Sequence, residues 1–215
     1  MATEQDLRAL RREYIAEPLL EAGMASDPVE QFTQWFSQAR TLQPDSVNAM
    51  VLATAGGDGC PAARVVLLKH FDTEGFCWYT DYQSHKGQEL AANPQAELLF
   101  YWPQLERQVR IWGHVNKLDR SDAESYFGQR PRGSQISAAV SCQSTIIASR
   151  EDLVVAAVEL EERYHEQPIP CPQQWGGYRL IPERFEFWQG RENRLHDRIV
   201  YGRQLKGWQL VRLAP

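Results

Sequence analysis

Between Asp27 and Leu42 the apolar residues Phe32, Trp35, Phe36 and Ala39 recur at i, i+3, i+4 and i+7, the spacing of one helical face. Asp27 before Pro28 supplies an N-cap and a proline at the first helical position. Earlier, Leu7, Leu10 and Tyr14 have helical spacing in an arginine-rich segment, which predicts a partly helical N-terminal arm over 1–26. The remainder, 27–215, suits a single domain. The middle of the chain changes period. "NAMVLATAGGDGCPAARVVLLKHF" reads as strand, Gly-Asp-Gly turn and strand, and the unbroken apolar run "VVLLK" predicts a central strand. "FCWYT", "AELLFYW" and "RQVRIWGHVNKL" follow as strands. In the last of these Val109, Ile111, Gly113 and Val115 alternate with Arg110, Trp112 and His114, so one face is buried. "GGYRLIPERFEFWQ" and "GWQLVRL" close the chain. Helices punctuate the strands. Ser84 precedes "HKGQELAANP", Ser121 and Glu124 make a capping-box pattern, and Ser149 and Asp152 make another ahead of Leu153, Ala156, Leu160 and Tyr164. The class expected is mainly β with peripheral helices, an antiparallel, Greek-key-like barrel.

Composition narrows the partners. Net charge is −5, which argues against broad binding to nucleic acid or to an anionic membrane but not against a local anion pocket. No apolar run approaches a membrane span, and the acidic first residues carry no secretory pattern, so a cytoplasmic location is expected. Cys60, Cys77, Cys142 and Cys171 form no CxxC pair, so no metal site is expected. Neither GxGxxG nor GxxxxGK[ST] occurs.

Four clusters could carry chemistry. "RVVLLK" brackets an apolar run with Arg64 and Lys69, which a regular strand would send to opposite faces. His85 and Lys86 stand in the first turn of a helix, where cations oppose the dipole unless an anion is bound there. "YFGQRPRGSQIS" gathers Tyr126, Arg130, Arg132 and Ser134, hydroxyl and guanidinium donors suited to phosphate. In "WQGRENRLHDR", Arg194, His196 and Arg198 would share one face of an extended chain, a like-charge row that favours an anionic or electron-rich partner. Each cluster taken singly also reads as ordinary surface or core.

Together these pieces resemble the pyridoxine (pyridoxamine) 5′-phosphate oxidase family. The resemblance runs through "LRREY" at Leu10–Tyr14, "RVVLLKH", "YT" at Tyr79–Thr80, "LERQV" at Leu105–Val109, "GQRPRGSQI", "QS" at Gln143–Ser144, "FWQG" with "RLHDR", and the terminal "RLAP". It implies a split β-barrel homodimer with FMN at the subunit interface. It implies that Arg64, Val65, Val66, Leu67, Leu68, Lys69, Tyr79, Thr80, His85, Lys86, Gln108, Gln143, Ser144, Trp188 and Arg198 contact FMN. Lys69, Tyr126, Arg130 and Ser134 would hold a substrate phosphate. Arg194, Leu195 and His196 would lie on the substrate, with Arg194 and His196 as the catalytic pair and Arg11, Arg12, Glu13 and Tyr14 closing over it. The implied reaction converts pyridoxamine 5′-phosphate or pyridoxine 5′-phosphate and O2 to pyridoxal 5′-phosphate and H2O2, with water consumed and NH3 released where the substrate is the amine. His85 departs from the family's usual arginine. A split-barrel flavin reductase or different flavin oxidase, a flavin or pyridoxal-phosphate carrier, or a cofactor-free anion-binding barrel are rival readings. The first of these would not need the Tyr126, Arg130 and Ser134 set.

Overall fold

A computed structural model describes residues 13–215. Arg11, Arg12 and the helix expected through Leu7 and Leu10 lie outside the described residues. Glu13 and Tyr14 lie inside, in chain without regular structure. Five helices are described: α1 (Pro28–Leu42), α2 (His85–Ala92), α3 (Arg120–Gln129), α4 (Arg132–Val140) and α5 (Arg150–Arg163). Nine strands complete the chain: β1 (Ala49–Ala55), β2 (Pro61–Leu67), β3 (His70–Asp72), β4 (Gly75–Asp81), β5 (Gln95–Trp102), β6 (Arg107–Lys117), β7 (Trp175–Gln189), β8 (Asp197–Arg203) and β9 (Trp208–Leu213). They form one sheet in the order β2-β1-β5-β6-β7-β4-β3, with β8 on β7 and β9 on β8. The pairings β1–β2, β1–β5, β3–β4, β4–β7, β7–β8 and β8–β9 are antiparallel.

The chain divides into two compact units. One holds residues to Val47, Phe100–Arg110 and Arg184–Pro215; the other holds Asn48–Leu99 and Ile111–Glu183. In the first, Asp27 Oδ1 accepts from the backbone N–H of Val29 and Glu30 at 2.8 and 3.2 Å, as the N-cap predicts. Phe32, Trp35 and Ala39 of α1 are buried, and Phe32 meets Phe100 edge-on at 5.0 Å. Trp35 does the same to Phe187 at 5.2 Å. Full burial of such side chains contributes roughly 1.5–3 kcal/mol each.

In the second unit, Met50 and Leu52 of β1, Leu98 of β5 and Ile111 and Val115 of β6 are buried on alternate positions. Ser84 caps α2 and Ser149 with Asp152 closes a capping box on α5, both as expected. The Ser121–Glu124 box does not form. The helix starts earlier, after Asp119, because Arg120 bonds Glu124 and also the carbonyls of Cys171, Pro172 and Trp175. Tertiary hydrogen bonds there outweigh the local cap. The "VVLLK" strand is also not central. β2 pairs with β1 at the end of the sheet, and Val65 and Leu67 are 68% and 45% exposed. An apolar run therefore marks an open face here, not a core.

Candidate active site

The larger site lies wholly in the second unit. A cavity of about 860 Å3 is lined by Arg64–Leu67 and Lys69 from the β2 end, Tyr79 and Thr80 from β4, His85 and Lys86 from α2, Tyr126 and Arg130 from the α3 end, Ser134 from α4, and Gln143 with Ser144. Four of the lining residues were not anticipated beyond these clusters: Ala62, Ala63, Gln129 and Pro131.

Arg64 and Lys69 reach the same cavity although a regular strand would separate them. The chain changes partner between them. The N–H of Leu68 donates to Asn48 O at 2.8 Å, whereas that of Lys69 donates to Cys77 O at 2.9 Å. Regular alternation therefore ends at Leu67, and Leu68 turns into the core, 4% exposed, instead of lining the cavity.

The cationic groups are held by a second set of residues. Glu89, buried on α2, accepts from Thr54 Oγ1 at 2.6 Å and from Arg64 Nη2 at 2.9 Å. His85 Nδ1 approaches the same carboxylate at 3.5 Å. Burial tends to raise the Glu89 carboxyl, but the Thr54 and Arg64 hydrogen bonds and the nearby charges prevail and hold it below the ordinary carboxylate value. Lys86 is buried, and among the described residues its Nζ hydrogen-bonds to neutral oxygens alone: Gln143 Oε1 at 2.7 Å, Thr80 Oγ1 at 3.1 Å and Ser84 Oγ at 3.4 Å. Burial, reinforced by Arg64, pulls its pKa below the usual lysine value. Asp81 Oδ2 accepts the N–H of Gln143 at 3.2 Å and so fixes the loop that partners Lys86. Gly87 permits this start of α2, because a Cβ there would sit 2.1 Å from Tyr82 O.

At the other end, Tyr79 stacks on Tyr126 with ring centres 4.1 Å apart and on Trp175 at 5.4 Å. The guanidinium of Arg130 covers Trp175, and its Nη1 is buried with no hydrogen-bond partner. Desolvation lowers the Arg130 pKa, yet the group stays charged. Arg132, in contrast, is engaged by Glu161 and by the carbonyls of Tyr164 and Gln167.

Among the described residues, five basic side chains and no carboxylate line this cavity. Such a surface suits an anion, and its stacked rings and apolar β2 wall suit a flat aromatic one. A phosphorylated flavin fits both requirements, and the orphaned Arg130 Nη1 is a donor awaiting an oxygen acceptor.

The remaining expected residues among those described lie in the first unit and do not line that cavity: Glu13, Tyr14, Gln108, Trp188, Arg194, Leu195, His196 and Arg198. Tyr14 meets Trp188 edge-on at 5.6 Å and His196 edge-on at 5.3 Å, while Trp188 and His196 are 4.7 Å apart. The Arg191 N–H donates to His196 Nδ1 at 3.1 Å, which leaves Nε2 to carry the ring proton. Burial, with a contribution from Arg194, holds His196 below its usual pKa. The extended row of Arg194, His196 and Arg198 is not formed. Glu192–Arg194 is a turn with φ of 54° at Asn193 and 64° at Arg194, and only Arg198 lies on β8. Arg198 Nε pairs with buried Glu186 at 2.8 Å, and its Nη1 donates to Ala214 O.

Sequence reasoning missed Asp81, Glu89, Glu106 and Trp175. Glu89 had a signal, being i+4 from His85 on α2. Trp175 had none, since its contact with Arg130 spans two separate segments.

Among the described residues no helix is long and apolar enough to cross a membrane. The family model described as pyridoxamine 5′-phosphate oxidase matches residues 37–164. A second, described as the pyridoxine 5′-phosphate oxidase C-terminal dimerisation region, matches 175–215. A pyridoxine/pyridoxamine 5′-phosphate oxidase of Rubrobacter xylanophilus is 52% identical over 211 residues, covering 98% of this chain and 97% of that one. The protein of the same name from Pseudomonas paraeruginosa is 48% identical, covering 98% and 99%. Among solved structures, PhzG from Burkholderia lata, in complex with tetrahydrophenazine-1-carboxylic acid, superposes with a TM-score of 0.87 at 30% identity, covering 93% of this chain and 99% of its own. A pyridoxamine 5′-phosphate oxidase-related, FMN-binding protein of Nostoc punctiforme shares the fold, with a TM-score of 0.69 at 18% identity, covering 86% and 96%. The expected split-barrel class is therefore that of the molecule, and the chain belongs to the pyridoxamine 5′-phosphate oxidase family.

Proposed function

We propose that the protein oxidises pyridoxamine 5′-phosphate or pyridoxine 5′-phosphate to pyridoxal 5′-phosphate, with FMN as resident cofactor and O2 as electron acceptor. The observation that carries this reading is the cavity whose described lining has five basic side chains and no carboxylate, one of the five ending in an unpartnered buried Nη1. FMN held there would supply the redox chemistry, as acceptor of a hydride from the substrate's C4′ carbon with O2 as the final oxidant, reduced to H2O2.

The chain's own residues supply placement. Arg64, His85 and Lys86, with Thr80, Gln143 and Ser144, are assigned to the flavin, and Val65–Leu67 to its ring. Lys69, Tyr126, Arg130 and Ser134 are assigned to the substrate phosphate: two charges, two hydroxyls. Fixing the phosphate fixes the distance of the reacting carbon, and alignment of this kind contributes ~7–11 kcal/mol in favourable cases. Neutral His196 would offer its Nε2 proton to a substrate oxygen. Arg194 would orient the substrate ring and support the transferring negative charge. It is no general base, because a guanidinium offers donors only and no acceptor. Trp188 and Arg198 are assigned to the flavin as well, with the second subunit of a homodimer as the source that the dimerisation match supports. Exposed Val65 and Leu67 and the match to a dimerisation region support a homodimer with FMN at its interface.

The test is aerobic turnover of the FMN-loaded protein with pyridoxamine 5′-phosphate. Equal amounts of aldehyde, ammonia and H2O2 are expected. Flavin binding without aldehyde formation from either substrate would overturn the reading.

A further inference from the structure

The segment from Glu13 to Leu20 has no regular structure, so sheet and helix ladders do not satisfy its backbone groups. Side chains do. The N–H groups of Ile15 and Ala16 both donate to Glu106 Oε2, at 2.9 and 3.1 Å. Ala16 O accepts from Arg191, and Leu19 N–H donates to Asp197 Oδ2 at 3.0 Å. Leu19 O accepts from Arg212 Nη2 at 2.7 Å.

Glu106 differs from the other anchors because it grips both sides of one contact. It is 6% exposed, in a left-handed conformation with φ of 56°. Its carboxylate holds the residues just after Tyr14. Its carbonyl accepts Gly190 N–H at 2.8 Å and Gln189 Nε2 at 3.1 Å, the two residues just after Trp188. Between these grips Tyr14 stands edge-on to Trp188 and His196. The fit is close, since a Cβ at Gly190 would lie 2.5 Å from Tyr14 Cδ1.

We infer that Glu106 is a positioning residue for the reaction: its carboxylate clasps the 13–20 segment so that Tyr14 closes the aromatic corner around His196. Two N–H groups on one carboxylate oxygen make charge-assisted hydrogen bonds, as the Arg191, Asp197 and Arg212 contacts further along the segment also are, but only Glu106 holds the residues next to Tyr14 by two of them. The clasp itself follows from the contacts above. Its service to catalysis rests on the proposed assignment of His196 to the substrate.

The test uses FMN-loaded protein and two readouts: hydrogen exchange at the Ile15 and Ala16 amides, and kcat/KM for pyridoxamine 5′-phosphate. In Glu106→Ala both amides are expected to exchange at least about tenfold faster, and kcat/KM to fall about tenfold, with flavin affinity within about twofold of the parent. Glu106→Gln, which keeps one acceptor oxygen, should restore part of each loss. Gly190→Ala displaces Tyr14 without removing the carboxylate, so it should reproduce the kinetic loss even where Glu106→Ala folds poorly. Unchanged exchange in Glu106→Ala overturns the clasp. Faster exchange with unchanged kcat/KM overturns the positioning role, as does unchanged kcat/KM in Gly190→Ala. A parent protein that oxidises neither substrate refutes the functional reading instead, and the exchange measurement then still decides the clasp.

Discussion

The guanidinium carbon of Arg130 lies 4.9 Å from the centre of the Trp175 ring, while its Nη1 is buried without a partner. The contact places the guanidinium over the ring and leaves the buried Nη1 without an acceptor. A buried unsatisfied donor is costly, so such an arrangement persists where a ligand supplies the missing acceptor. Arg130→Ala is therefore expected to raise KM for pyridoxamine 5′-phosphate about tenfold to a hundredfold, the range for a hydrogen bond to a charged group. KM for unphosphorylated pyridoxamine should stay within about twofold in the same comparison. Equal effects on both would show that Arg130 does not read the phosphate.

Lys86 tests the opposite end of the cavity. Its buried ammonium contacts neutral oxygens, so in the flavin-free protein its charge is a burden on stability. Lys86→Met should weaken FMN binding by about tenfold or more, yet leave the flavin-free protein at least as heat-stable as the parent. Fluorescence titration with FMN and thermal melts without it measure the two effects. A lower melting temperature with unaltered FMN affinity would make Lys86 a purely structural residue.

Arg194 occupies a left-handed turn with its side chain exposed, a conformation that costs an arginine stability and is tolerated where function demands it. Arg194→Lys should keep FMN bound but lower kcat/KM, because a point charge cannot replace a planar fork. Turnover equal to the parent's would remove Arg194 from the reaction.

His196 sets the pH dependence. Its pKa in the folded protein is held below the ordinary 6.5, by burial first and then by Arg194. Protonation is thus disfavoured by folding, and the stability tied to neutral His196 is present above that ordinary value and lost as pH falls below it. Activity that needs the neutral ring should show an acid limb below pH 6.5. Removing the arginine's charge in Arg194→Ala should move that limb to higher pH in the residual activity. A limb that does not move, or that survives in His196→Gln, would assign it to another group.

Much of the fold was legible in period alone. The α1 face at Phe32, Trp35 and Ala39 and the β6 alternation at Val109, Ile111 and Val115 follow directly from burial. What failed were inferences that assumed regular geometry or local control. "VVLLK" is as apolar as a core strand, but of its residues only Leu68 is in the core, while Val65, Val66, Leu67 and Lys69 line a cavity at an open sheet end. Arg64 and Lys69 converge because the chain switches pairing partner between them, which no periodicity encodes. Arg194 and His196 leave the extended row because Asn193 and Arg194 turn left-handed. Ser121 lost its cap to Arg120, whose partners lie some fifty residues away. The cationic lining was visible residue by residue, whereas the residues that aim it, Glu89, Asp81 and Trp175, act through distant contacts.

The central claim is that this cavity brings a phosphorylated pyridine amine or alcohol to a bound flavin for hydride transfer. Anaerobic mixing of the FMN-loaded protein with pyridoxamine 5′-phosphate tests it most directly. The account predicts bleaching of the flavin absorbance, one flavin reduced per aldehyde formed, and recovery of the oxidised spectrum on admitting O2. A flavin spectrum that persists under saturating pyridoxamine 5′-phosphate and pyridoxine 5′-phosphate would contradict it.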